Sequence, residues 1–390
     1  MRSSIITALV LSSLGLLLSC SKPDQESQSG EKMKVSDTPL TLVPVGTIDI
    51  PIDSTSLNHS LYPVYYTNDT IEYYIAGNEY LNSIDFFDLA KKKLVKRNFY
   101  PKKGESGIDS PLRIFVKSLD SIYMYSKAEY QMVLTNFNGD FLGRYMVNVM
   151  AVPNMQATSF HSNMFQPFQV IGPYAYFGFM VNGDPRYQPG HKTLAKYHLV
   201  TNEYEEFGVS YPHEFKNVLY EGTNPDFTFG HSNSITVRFG SLPYLYHYDI
   251  KSGNTSVHLA RSTYQEAPIV PDTVAERPMD MDHDFEQLRQ DSYGGVFYDR
   301  FAHVYYALFL KGIPIYDSAG NKNSFESKPI SIMIFNENFE FCGEHLLKEN
   351  TYYWRNLIPS KNGLLIPMFH PEDPNKNPEM LRFQIFKLRE

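Results

Sequence analysis

The chain has 390 residues, 25 of them proline and 23 glycine, with 15% aromatic residues and a formal net charge of −8. That length fits one large closed domain or two ordinary ones. Acidic residues outnumber basic ones, 43 to 35, with the signs interspersed, which excludes nucleic acid as a partner because neutralising phosphates needs a basic surface.

The N-terminus opens with Met1 and Arg2, followed by an apolar run from Ile5 to Leu18. This is the charged start and short hydrophobic region of an export signal, too short to span a bilayer as a mature helix. Leu17, Leu18, Ser19 and Cys20 resemble the lipobox of bacterial lipoproteins, which implies cleavage after residue 19 and a lipid on Cys20. Several acyl chains anchor durably, since each buried methylene contributes about 0.8 kcal/mol. Residues 21–38 hold only Met33 and Val35 as sizeable apolar side chains, too few to offset the entropy of ordering the segment.

The expected organisation is therefore a signal peptide over 1–19, a lipidated cysteine and flexible tether over 20–38, and a folded body over 39–390. The body is expected at the bacterial cell envelope, lipid-anchored to the outer membrane, with the lipid as its sole membrane contact. Whether it faces the periplasm or the surface is not encoded in these residues.

Within the body, one type of segment recurs: alternating apolar residues, a polar or aromatic end, then a turn. It appears at Ile84–Asp88, Met132–Asn136, Leu194–His198, Tyr244–Asp249, Ile332–Asn336 and Phe383–Lys387. Each has one or two short strands before it, and each but the last has another after it. Helical periodicity is nearly absent, Asp282–Gln290 being the best candidate. A four-strand unit repeated about every 50 to 60 residues is the sequence form of a propeller blade.

The predicted fold is all-β, a six-bladed β-propeller closed by pairing an N-terminal strand, Leu42–Ile50, with the last blade. A pair of β-sandwiches is the competing architecture. Once Cys20 is lipidated, Cys342 is left alone in an apolar segment, so no disulfide forms, and a buried inert thiol is expected.

With the lipobox, the tether, the six aromatic-rich units and the glycine-rich connector Gly104–Pro111 in hand, the whole chain resembles a group of Bacteroidota lipoproteins. They carry a TolB-like six-bladed propeller and form a family of unknown function. The resemblance implies fold and compartment, and no activity.

Strand alternation places short turns on one face, among them Thr67–Thr70, Ser118–Asp120 and Pro359–Gly363. Long loops fall on the other, at Val181–His191, Ala260–Gln290, Lys311–Lys328 and Phe369–Pro378. Long insertions gathered on one face commonly build a binding surface. Candidate ligand contacts there are Arg186, Tyr187 and His191, against which the turn signals Asp184-Pro185 and Pro189-Gly190 argue for ordinary loop structure. Tyr353, Trp354 and Arg355 offer stacking rings and a planar fork, with core packing of Trp354 as the alternative.

Asp282 and His283 lie in an acidic run, Asp280–Asp284, that supplies hard donors. As an EF-hand the run fails, because Phe285 stands at its sixth position and Asp291 at its twelfth. No metal or cofactor is expected. Gly230–Ser234 has Ser234 where a nucleophile elbow needs its second glycine, and no phosphate loop is present.

The functional expectation is a non-catalytic envelope lipoprotein that binds a glycan, peptide or protein partner through its long-loop face. The alternatives are an envelope enzyme acting on carbohydrate, with two carboxylates about 5 to 9 Å apart in the funnel, and a structural subunit with a large apolar patch.

Overall fold

Runs of aromatic and β-branched residues pair here into strands because a pleated, half-buried surface suits them. The first strand, β1 (Thr41–Pro51), has no sequence neighbour to pair with. Blade 1 follows as β2 (Val64–Thr67), β3 (Glu72–Asn78), β4 (Ser83–Asp88) and β5 (Lys93–Phe99), and blade 2 as β6 (Arg113–Ser118), β7 (Ser121–Ser126), β8 (Gln131–Thr135) and β9 (Phe141–Met146). Blade 3 comprises β10 (Thr158–His161), β11 (Gln169–Ile171), β12 (Tyr174–Val181), β13 (Lys192–His198) and β14 (Tyr204–Ser210). Blade 4 is β15 (Pro225–Phe229), β16 (Ser234–Phe239), β17 (Tyr244–Asp249) and β18 (Thr255–Leu259). Blade 5 is β19 (Ser292–Asp299), β20 (Val304–Leu310), β21 (Ile330–Asn336) and β22 (Phe341–Leu346). Blade 6 begins with β23 (Ile358–Ser360), β24 (Gly363–Pro367) and β25 (Met380–Arg389). All these sheets are antiparallel, and β1 completes the sixth as its outer strand, pairing with β25 from Thr41 opposite Arg389 to Pro51 opposite Met380.

This computed structural model describes residues 32–60, 62–111, 113–147, 158–181, 190–215, 224–270, 287–374 and 376–390. The chain divides into Met1–Lys32 and Met33–Glu390, and the propeller is the second unit.

Blade packing follows from burial. The middle strands β3, β4 and β20 are buried along their whole length, which a lone four-stranded sheet cannot achieve. Each hydrophobic cluster joins two consecutive blades. Ile75, Phe86, Ile122 and Met124 tie blade 1 to blade 2, and Leu42, Tyr306, Ile332 and Leu364 tie blade 5 to blade 6. The cluster of Ile48, Ile50 and Phe383 with Tyr74 and Phe87 joins blade 6 to blade 1 and closes the ring.

Residues 33–38, assigned to the tether on composition, begin the folded unit. Lys34 O accepts from Phe341 N at 2.8 Å, and Ser36 N donates to Phe341 O at 2.9 Å. Met33 packs against the cluster between blades 4 and 5. Leu40 N donates to Cys342 O at 2.7 Å, an approach open only to glycine at 343, because a Cβ there would meet Leu40 O at 2.1 Å. Cys342 is the buried thiol of this edge, its pKa pushed up by burial.

Connections between first and second strands, or third and fourth, run to at most five residues and lie on one face. The long connections that follow β18, β20 and β24 leave from the opposite face. On that long-loop side Lys328, 3% exposed, donates from Nζ to Gln287 O at 2.9 Å and Gln290 O at 2.7 Å.

Two outcomes test this account. Ile50 is fully buried at the closing interface, so Ile50→Ala should cost about 2–4 kcal/mol in denaturant unfolding, while Val45→Ala on the exposed side of β1 should change little. Burial lowers the Lys328 pKa to about 8 from 10.5, so between those values the unfolded chain binds more protons and stability rises with pH. The charged-state penalty is fully present below about pH 8. Lys328→Met should flatten that rise by no more than about 3 kcal/mol, read from chemical melts across pH 7.5–10.5.

Candidate functional site

Each blade presents its first strand to the propeller axis, where β2, β6, β11, β15, β19 and β23 stand in a ring. In blade 3 this inner edge is interrupted: β10 and β11 both pair with β12, and residues 162–168 leave the sheet between them. Arg113 Nε donates to Ser162 O at 2.6 Å, Gln166 Nε2 to Pro225 O at 2.5 Å, and Phe227 N to Phe165 O at 2.7 Å. These bonds push Phe165 across the axis. Its ring stacks on Trp354 with centroids 5.9 Å apart and meets Phe297 edge-on at 6.0 Å. It also covers Gly295, where a Cβ would lie 2.3 Å from Phe165 Cδ1. Phe165 thus bridges the ring, its side chain against blades 5 and 6 and its backbone bonded to blade 4, and forms an aromatic plug at the axis.

Between this plug and the short-turn face lies a cavity of about 520 Å³. Tyr65, Phe115, Phe168, Phe229, Phe297 and Tyr298 form much of its wall; Met164, Pro167, Arg355 and Asn356 lie toward the plug. Thr67, Lys117, Arg300, Phe301 and Pro359 border the opening. No carboxylate is among the lining residues, whose charged members are Lys117, Arg300 and Arg355. A side pocket of about 430 Å³ shares Gln169, Phe229, Tyr298 and Arg300 with the funnel and adds His231, Ser232, Asn233 and His303.

The side pocket is built on hairpin turns. Ser232 and Asn233 take left-handed φ of 56° and 60°, the twist that a tight β-hairpin needs. This is strand–turn–strand geometry, with Ser234 Oγ donating to His231 O at 2.7 Å, which removes the nucleophile-elbow reading because that elbow is a strand-to-helix turn. Glu337 is the hub of the rim: Tyr298 OH donates to its Oε1 at 2.6 Å, and His303 Nδ1 lies 3.2 Å from the same oxygen. The Tyr298 hydrogen bond first, and His303 after it, hold the Glu337 carboxyl below its ordinary pKa. Two further carboxylates flank the mouth and are engaged. Asp299 accepts from Phe301 N and Ala302 N, while Glu72 accepts from Tyr65 OH and Asn362 Nδ2 and lies 3.5 Å from Lys361 Nζ. Two carboxylates facing each other across the funnel, as glycoside hydrolysis requires, do not occur among the described residues.

Of the residues singled out in the sequence, Cys20, Arg186, Tyr187, Asp282 and His283 lie outside the described residues. His191 stands at the long-loop edge of blade 3, its Nδ1 3.4 Å from Glu206 Oε2, and does not line the funnel. Trp354 is 3% exposed, held between Phe165 and Phe325, so its ring packs in the core and is closed to an outside ligand. Tyr353 meets His59 edge-on at 6.1 Å. Arg355 reaches the funnel while its Nη2 pairs with Glu326 Oε1 at 3.2 Å. The rim cations Lys117 and Arg300 were not picked out by sequence, although each sits at or beside a first-to-second-strand turn that the blade repeat predicts.

The family model described as a domain of unknown function, DUF4221, matches residues 39–346. No curated protein matches the chain. A solved DUF4221 member from Bacteroides vulgatus superposes with a TM-score of 0.77 at 18% identity, covering 91% of this chain and 99% of that one. A Bacteroides fragilis structure gives a TM-score of 0.52 at 11% identity over 92% and 98% of the two chains. At such identities the likeness shows the fold alone.

The plug is open to a direct test because Trp354 is the sole tryptophan and stacks on it. Gly295→Ala should displace the Phe165 ring, cost about 1–3 kcal/mol through overpacking, and change Trp354 emission in the folded state. Unchanged emission with unchanged stability would mean that Phe165 does not rest on Gly295.

Proposed function

The chain belongs to the DUF4221 family, and from that premise we propose that it is a lipid-anchored binding protein of the bacterial cell envelope, whose propeller holds a partner without altering it chemically. The export signal and lipobox ending at Cys20 support the anchor. The observation that carries the binding reading is the funnel: a preformed cavity of about 520 Å³ with aromatic rings in its wall, inside the range of roughly 300–1,000 Å³ that small-ligand sites occupy.

That size suits a small molecule, a sugar unit or the end of a peptide. A whole protein would have to dock outside, and the long-loop face is the surface left for it. The carbohydrate-enzyme alternative rested on a carboxylate pair in the funnel, and the described lining offers none.

Cys20→Ala should shift the protein from the membrane fraction to the soluble periplasmic fraction with its circular dichroism unchanged; retention with the membranes would refute the anchor. For binding, the full-length protein should capture a partner or small ligand from detergent-solubilised envelopes. Thr228→Trp, which fills the funnel wall, should lose a funnel ligand while keeping the fold. Equal capture by both proteins would move the site away from the funnel.

A further inference from the structure

We propose that the funnel selects an anionic amphiphile, an acidic head group at the short-turn rim with an apolar body along the aromatic wall. This rests on the binding reading above and adds the ligand class. The protein as a whole is acidic, with a net charge of −8, yet the funnel is lined by cations alone among charged residues. Arg355, toward the plug, is paired with Glu326. Lys117 and Arg300, at the mouth, are exposed and have no ion-pair partner among the described residues.

The carboxylates that could neutralise them are committed elsewhere: Glu337 to Tyr298 and His303, Glu72 to Lys361 and Asn362, Asp299 to its own hairpin. Asp69 and Asp120 stand in hairpin tips and do not line the cavity. Arg300 presents a planar fork suited to a carboxylate or phosphate, and Lys117 adds a mobile point charge. Behind them Tyr65, Phe115, Phe168, Phe229 and Phe297 offer ring surface that fits an apolar chain or ring, while the deep cation, Arg355, is already paired with Glu326.

The test uses the full chain carrying Cys20→Ala, purified without detergent, with decanoate, decanol and vesicles of phosphatidylglycerol or phosphatidylcholine as probes. Decanoate is expected to bind and decanol to bind about tenfold more weakly, the loss of one charge-assisted contact. The double variant Lys117→Gln, Arg300→Gln should weaken decanoate by about the same factor with an unchanged melting curve. Charge-dependent binding to phosphatidylglycerol vesicles would assign the head group to a lipid in its bilayer, and binding to decanoate alone would assign it to a free acid. Equal affinity for decanol and decanoate, an unaffected double variant, or no binding to either anionic probe overturns the proposal. A partner lost by Thr228→Trp but kept by the charge variant would overturn it while leaving the binding reading in place.

Discussion

Everything in this fold depends on the pairing of β1 with β25. A four-stranded blade has two apolar faces and can bury them only against neighbours, so an open row of blades would leave two faces and an edge strand exposed. Ten residue pairs from Thr41 opposite Arg389 to Pro51 opposite Met380 close that row. Residues more than 300 positions apart in sequence are thereby made adjacent. Such closure is entropically slow to form, since the longest loop in the chain must be shut before the contact is gained. Once formed, it makes Ile48 and Ile50 part of the interface with Tyr74 and Phe87 and makes the blades mutually dependent.

Closure fixes a ring but leaves a hole along its axis, and the break in the inner edge of blade 3 fills one end. Residues 162–168 do not continue the strand, and their backbone is satisfied instead by a local pair of bonds between Asn163 and Gln166, each 3.1 Å. That arrangement frees Phe165 to reach Trp354 and Phe297. An open channel would conduct solvent and hold nothing in place. Aromatic rings meeting across the axis leave a concave cavity beside them, a geometry in which a few rim charges can set a ligand's orientation.

The sequence made the ring legible and the funnel hardly at all, and the difference is physical. Second and third strands such as Val304–Leu310 and Ile84–Asp88 are buried along their length, so their apolar runs are strong and repeat at blade spacing. Inner strands vary from three residues in β11 and β23 to eight in β19, and the funnel wall takes only a few side chains from each of the six. No local period marks Lys117, Phe229 and Arg300 as neighbours. Trp354 drew attention as a lone tryptophan beside an arginine, but its place against the plug follows from residues 162–168, where Asn163 Oδ1 accepts from Phe165 N at 2.8 Å in a turn whose reach across the ring is set by tertiary contacts. Composition also placed the end of the tether at residue 38, because it counts apolar side chains and is blind to the backbone bonds by which residues 34–36 join β22.

The two faces of the propeller differ in what they can carry. The short turns must then be short for a second reason besides economy, since bulky insertions on that face would obstruct the mouth among Lys117, Arg300 and Phe301. The long connections that leave β18, β20 and β24 start from the face opposite the funnel mouth. Lys328 shows the consequence, for its buried ammonium pins 287–290 by two carbonyl bonds and so orders part of a loop system that the propeller core does not need.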